Sequence, residues 1–158
     1  MGSKLNSTKK TKLPHLKKIP EKIGTLIVPR FAEYQKQEYK ITSLSFSFNS
    51  YKIGFLTFPE DSEVEKFERS CFNGSHIKKL RIPPKLKYLD DGWDFYLYDL
   101  TEIEISPKNK FFIYYDNKFL IGKSQKNCDQ FDVFYFTRRD IKEVVIPDQI
   151  RIIKQGSL

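Results

Sequence analysis

A seven-residue pattern of apolar and polar positions recurs along this chain and closes on proline. It runs apolar, two free positions, apolar, free, apolar, proline, and Ile77–Pro83 shows it most clearly. Alternation of this kind predicts a half-buried strand, which proline ends because it cannot donate a backbone hydrogen bond. We expect Leu80 and Ile82 to point into a core, and their neighbours Lys79 and Arg81 to point outward. The pattern returns in Ile23–Pro29, Ile53–Pro59 and Ile141–Pro147, and with one added residue in Leu100–Pro107.

The spacing of these blocks predicts a stacked repeat. Three successive blocks open at Ile53, Ile77 and Leu100, at nearly equal intervals. The next block opens at Ile141, after one further interval plus an insertion. A period of about 23 residues is typical of solenoids with one strand per turn. A single turn buries too little apolar surface to offset its loss of backbone entropy, so each unit needs neighbours.

Between the strands, a second set of apolar positions repeats and should fill the space behind each strand. A first apolar residue is followed three positions later by a second, and four positions after that comes a small residue followed by a large one. The copies are Val64, Phe67 and Cys71-Phe72; Leu86 and Leu89; and Ile150, Ile153 and Ser157-Leu158. The middle copy departs, because Trp93-Asp94 puts a carboxylate at the large apolar position. One extra residue before this point would restore the phase and place Asp94-Phe95 there.

The segments outside this regular pattern carry their own signals. Residues 30–40 are polar and favour one or two helical turns, whereas Ile41–Phe48 alternates strictly and predicts a strand. In the insertion, at about residues 108–137, two aromatic-rich runs flank Asp116-Asn117 and predict a β-hairpin. Phe131–Phe136 predicts a further strand. We therefore expect a β-rich array over residues 23–158 that ends, at Ser157-Leu158, in the middle of a unit.

These residues resemble the BspA-like leucine-rich repeat family, whose repeated unit reads approximately L-x-x-I-x-I-P-x-x-V-x-x-I-G-x-x-A-F. Ile77–Pro83 corresponds to its strand, and Val64, Phe67, Cys71 and Phe72 correspond to its V, I, A and F. The stretch Tyr114–Leu120 is similar to the hairpin of that family. The resemblance implies a leucine-rich repeat solenoid with one parallel strand per repeat, mostly loop or short helix on its convex side, and a hairpin insertion. It also implies an adhesin-like or interaction role at a cell surface.

Charge divides the chain into two parts. Residues 1–22 hold seven Lys and one Glu and predict a flexible basic arm; the remaining residues carry 21 basic and 19 acidic side chains. The stacking should bring Lys79 and Arg81 close to Glu102 and Glu104 on the next strand, since neighbouring strands lie about 4.8 Å apart. Beyond the insertion, Glu143 and Val145 would continue this row. Such a row is either a cross-strand ladder that fixes register or a concave recognition face of mixed charge, and the two roles are compatible.

Catalytic motifs are missing from the sequence. It contains no glycine-rich phosphate loop, no G-x-S-x-G and no pair of histidines at metal-binding spacing, so we predict neither catalytic residues nor a cofactor or metal. Cys71 sits at a core position of the repeat. Asp90, Asp91 and Asp94 favour a solvated turn over a cation site, and Tyr96 and Tyr98 favour exposed aromatic surface over a ligand platform.

We therefore predict a non-enzymatic protein-recognition module, adhesin-like or a scaffold, that binds an unidentified protein through Lys79, Arg81, Glu102, Glu104, Glu143 and Val145. One alternative function is that of a protein whose basic arm binds nucleic acid or an anionic surface, and a weaker one is that of a carbohydrate-active enzyme. The alternative fold is a β-sandwich with antiparallel strands. No apolar run approaches the roughly 20 residues of a membrane span, and no signal peptide is visible. Without the resemblance, these features favour a cytoplasmic protein.

Overall fold

The chain folds into strands joined by turns. The computed structural model describes residues 22–45, 48, 52–125 and 127–158, and this part of the chain contains no helix. The prediction of a basic arm over residues 1–22 lies outside it, apart from Lys22. The strands are β1 (Lys22–Ile27), β2 (Phe31–Tyr34), β3 (Gln37–Lys40), β4 (Ser43–Leu44), β5 (Lys52–Thr57), β6 (Lys66–Phe67), β7 (Lys79–Ile82), β8 (Tyr88–Leu89), β9 (Glu102–Ile105), β10 (Phe112–Tyr115), β11 (Phe119–Gly122), β12 (Val133–Thr137) and β13 (Ile152–Ile153).

Four of the five proline-closed blocks form a parallel sheet in the order β1-β5-β7-β9. In register, Leu26 pairs with Leu56, Leu56 with Leu80, and Leu80 with Ile103. These residues pack into the main core, together with Ile82. The parallel stacking and the inward direction of Leu80 and Ile82 are therefore confirmed, and the antiparallel sandwich is excluded for these blocks.

Behind this sheet, three two-residue strands form a second parallel sheet, in the order β4-β6-β8. Leu44, Phe67 and Leu89 are aligned in it and buried in the core. The back of each described unit is thus turns and a short strand, with no short helix. Ile41–Phe48 was predicted as a strand; among its described residues, Ser43–Leu44 form one, and it belongs to this rear sheet.

The first unit is longer than the two that follow it because it contains a hairpin. Ile23 and Ile53 are therefore further apart in the sequence than Ile53 and Ile77, or Ile77 and Leu100. Strands β2 and β3 pair antiparallel around Gln35 and Lys36, whose φ angles are 53° and 62°. The helical turns predicted for residues 30–40 are therefore wrong. The sequence concealed this turn because Gln and Lys are uncommon in the left-handed conformation that it requires.

The three strands of the insertion and β13, from the end of the chain, form a further sheet in the order β10-β11-β12-β13. Strands β10 and β11 make the predicted hairpin, and Asp116 and Asn117 adopt φ angles of 51° and 50° at its turn. One face of this sheet, including Phe112 and Leu120, joins the main core. Its other face forms a second cluster of Phe119, Ile121 and Phe134, covered by Val144, Ile146 and Ile150.

The last block, Ile141–Pro147, does not form the predicted strand. Its apolar residues Val144 and Ile146 still point inward, against the outer face of the inserted sheet, while Glu143 and Val145 are exposed. The prediction of a ladder partner was wrong because the inserted sheet provides the apolar surface that this segment covers. The final short strand, β13, pairs with β12 and not with the rear sheet.

Candidate functional site

The outward side chains of the four-stranded parallel sheet form a continuous surface, here called the strand face. Beyond the lysines that begin β1 and β5, it has an uncharged half on these two strands and a charged half on β7 and β9. Alternation along each strand places these side chains opposite the buried leucines and isoleucines. The strand face consists of Thr25, Ile27, Phe55, Thr57, Lys79, Arg81, Glu102 and Glu104.

In the charged half, Lys79 connects three neighbours. Its Nζ lies 2.6 Å from Glu102 and 3.3 Å from Glu104, both on β9. The same ammonium lies 4.9 Å from the ring centroid of Phe55, on the other side, in a cation–π contact. Hydrogen bonding to Glu102, followed by that to Glu104, raises the pKa of Lys79 above its ordinary value. The register Lys79–Glu102 thus places opposite charges side by side, as the sequence predicted.

Arg81 extends this network beyond the sheet. One terminal nitrogen of its guanidinium donates to Glu104 at 2.6 Å, and the other donates to Glu60 in the loop that follows β5. Glu60 also accepts a hydrogen bond of 2.8 Å from the hydroxyl of Ser106. Glu60, Lys79, Arg81, Glu102 and Glu104 therefore form one ion-paired ladder, and Glu60 is a member that the strand pattern could not reveal because it lies in a loop.

Glu143 and Val145, which we predicted to continue the strand face, lie elsewhere. Both are exposed, but Ile141–Pro147 is not part of the four-stranded sheet. The structure brings together four of the six predicted residues, on β7 and β9, and leaves these two on a separate surface.

Asp94 is the largest surprise among the polar residues. It was predicted to lie in a solvated turn, yet it is buried, and one of its carboxylate oxygens accepts a 2.6 Å bond from Arg139. Burial raises the pKa of Asp94 to about 6, and the positive charge of Arg139 opposes that rise. The Arg139 guanidinium also stacks over the ring of Phe136 at 4.6 Å and donates to the Gly156 carbonyl at 3.1 Å. Asp94 and Arg139 thus link the insertion to two units of the array.

The backbone shows why the predicted phase correction at this point was wrong. Cys71 and Trp93 each donate a backbone hydrogen bond to the residue three positions before, and Ser75 and Leu97 do the same. Trp93 therefore occupies the position of Cys71, and Asp94 that of Phe72. The extra residue of this unit lies after Leu97, not before Phe95. The ring of Trp93 takes the place in the core of the large apolar side chain that Asp94 replaces. Its centroid lies 6.0 Å from that of Phe72 and 6.0 Å from that of Phe136.

The other residues considered for catalysis or ligand binding are Cys71, Asp90, Asp91, Tyr96 and Tyr98. Cys71 is fully buried, and burial raises the pKa of its thiol well above the ordinary value, which opposes thiolate formation. In the described part of the chain, no three His, Cys, Asp or Glu side chains are grouped to hold a metal ion. Asp90 and Asp91 pair instead with Lys66 and Lys154. Tyr96 and Tyr98 are exposed and contact each other edge to face, with ring centroids 6.0 Å apart.

Comparison with known families identifies the kind of repeat. The family described as BspA type leucine rich repeat region matches residues 39–158 with six copies of its unit. The chain belongs to this family. No curated protein matches it. Among solved structures, the pneumococcal vaccine antigen PcpA is similar to 57% of this chain at 15% sequence identity, with a TM-score of 0.41; the match covers 30% of that protein.

Membership of the BspA-type family accounts for the stacked parallel coils. Within the residues that the structure describes, no helix is long and apolar enough to cross a membrane. The strand face that these coils present is therefore the candidate functional surface.

Proposed function

We propose that this BspA-type repeat is a non-enzymatic recognition module, adhesin-like or a scaffold, that binds a protein through its strand face. The observation that carries the proposal is the contrast between the two sides of one sheet. The inward residues Leu56, Leu80 and Ile103 are uniformly apolar, whereas the outward residues change in character from strand to strand. A scaffold that keeps its interior constant can vary its exterior without loss of stability, as binding solenoids do.

The ion pairing of the ladder supports recognition over catalysis. Glu60, Glu102 and Glu104 are each bonded to a cation. These carboxylates are thus bonded to neighbouring side chains along an open sheet, whereas general acid or base catalysis needs a group placed against a substrate proton. Glu143 and Val145 are not part of the proposed face, since they lie outside the sheet.

A charge-exchanged ladder provides the test. The variant E60K/K79E/R81E/E102K/E104K keeps opposite charges paired throughout the ladder and should remain folded, but it reverses the charge at all five ladder positions. Quantitative pull-down from the cells that make the protein should recover a partner with the natural chain and lose at least tenfold of it with this variant.

The control exchanges a rear pair, K66E/D90K, whose charges lie 2.8 Å apart on the opposite side of the molecule. This variant should retain the partner. Equal recovery of every captured protein by the two variants would contradict the proposal. The adhesin-like form of the proposal also requires surface exposure, which labelling of intact cells with a membrane-impermeant reagent measures.

A further inference from the structure

The charges of the ladder differ in how far they reach into solvent. The two cations are recessed, since the side chains of Lys79 and Arg81 are 29% and 22% exposed. The three carboxylates stand further out: Glu102 is 59% exposed, Glu60 40% and Glu104 38%. At the ladder, an approaching molecule therefore meets carboxylates first, although the ladder carries both signs of charge.

The bonding of the ladder explains this difference. The ammonium of Lys79 lies between the ring of Phe55 on one side and the carboxylates of Glu102 and Glu104 on the other. Arg81 is held between Glu60 and Glu104. Two cations thus face three carboxylates, and the ladder carries a net charge of −1. An ionised carboxylate can accept about four hydrogen bonds, so Glu102, bonded to Lys79, keeps acceptor capacity toward solvent.

The uncharged half of the strand face provides apolar contact beside these carboxylates. Ile27 on β1 is 61% exposed, and Phe55 on β5 is partly exposed. With strands about 4.8 Å apart, β1 lies roughly 14 Å from β9 across the sheet. An extended segment of four or five residues spans this distance, so one peptide can contact Ile27 or Phe55 and the carboxylates together.

We propose that the strand face binds a basic segment of a partner protein, with an apolar residue on the β1–β5 half and Lys or Arg side chains against Glu60 and Glu102. The inference rests on the proposed recognition function and specifies the chemistry of its partner. Complementary charges at an exposed surface give orientation and salt-sensitive association, while the apolar contact supplies the buried anchor.

The test selects a random library of displayed 12-residue peptides on the full chain at low salt and then measures the affinity of the enriched peptides. Those peptides should combine at least two Lys or Arg residues with an apolar residue. Their affinity should fall at least tenfold for E60Q/E102Q and should decline as salt is raised. The matched control is E65Q/D90N on the rear side, where each carboxylate is also half-exposed and paired with one lysine; its effect should be less than twofold.

A second pair of variants isolates the apolar anchor. Ile27→Ser should weaken the enriched peptides at least threefold, and Val145→Ser, at an exposed apolar residue outside the sheet, should not.

The outcomes separate this inference from the proposed function. Neutral or acidic peptides that depend on strand-face residues would overturn the basic partner and leave recognition by the strand face intact. Peptides insensitive to every strand-face substitution would contradict both. A synthetic peptide of residues 1–21 that bound this face as tightly as the selected peptides would assign the face to the chain's own basic segment and overturn the external partner.

Discussion

Two segments with the same pattern have different fates in this molecule. Ile77–Pro83 supplies β7, which pairs with β5 on one side and β9 on the other, and its Leu80 and Ile82 are fully buried. Ile141–Pro147 has the same sequence of apolar and free positions but forms no strand, and its Val145 is 86% exposed.

The difference separates two properties that the pattern combines. In both segments the alternating apolar residues face inward: Leu80 and Ile82 enter the main core, and Val144 and Ile146 pack against the second cluster. Direction therefore follows from the hydrophobic alternation alone. A ladder requires in addition a neighbouring strand in register, and around Ile141–Pro147 the apolar surface at hand is the face of the inserted sheet.

The strongest way to test this comparison is to place a carboxylate at the matching inward position of each segment. Ile82→Asp should unfold the array, at a cost of more than about 4 kcal/mol, because it buries an unpaired charge. Ile146→Asp should cost about 1–2 kcal/mol, since position 146 is only partly buried and the introduced carboxylate can reach water. Chemical denaturation monitored by circular dichroism measures both, and equal losses would refute the difference in burial.

Much of the array could be predicted because each unit buries the same apolar strand positions against its neighbours. The inward direction of Leu80, the hairpin around Asp116-Asn117 and the pairing of Lys79 with Glu102 all follow from local alternation or turn chemistry. The turn at Gln35 and Lys36 could not be predicted in this way, since nothing in their side chains favours a left-handed backbone.

The next largest effect should come from the ion pair that links the insertion to the array. Arg139→Ala should lower the free energy of unfolding by about 3 kcal/mol at pH 7, because it leaves Asp94 as a buried carboxylate without its cation. The adjacent Arg138→Ala is the control. Arg138 pairs with Asp140 at 2.6 Å, but Asp140 is exposed to solvent. The loss of unfolding free energy should therefore stay below about 1 kcal/mol. Similar losses in the two variants would show that Asp94 does not depend on Arg139.

The same carboxylate predicts a pH dependence with a definite sign. The pKa of Asp94 is raised from 3.8 to about 6 in the folded protein, mainly by burial. Between these values the folded state binds more protons than the unfolded state, so this contribution to stability is fully present below pH 4 and is lost as pH rises to about 6. Compared with Asp94→Asn, the natural chain should lose up to about 3 kcal/mol of its free energy of unfolding between pH 4 and pH 7. A pH-independent difference between the two proteins would contradict the burial of an ionisable group here.

Asp94 also shows why part of the site could not be predicted. A carboxylate at a position that holds Phe72 in the preceding unit suggested a shift of register, because a buried charge is costly without a partner. That partner, Arg139, lies 45 residues further along the chain. Glu60 in the ladder was missed for the same reason, since it meets Arg81 only through tertiary structure.

The smallest effect should separate the ladder from the core beneath it. Arg81→Ala removes contacts to Glu60 and Glu104, but these groups are partly solvated, so the loss of stability should not exceed about 1 kcal/mol. Glu143→Ala, at an outward charged position of the segment without a ladder, should change the melting temperature by less still. If Arg81→Ala were as damaging as Ile82→Asp, the outward side chains would carry the fold, and the strand face would have no freedom to vary for recognition. If it costs little, adjacent residues of one strand divide between stability and surface chemistry.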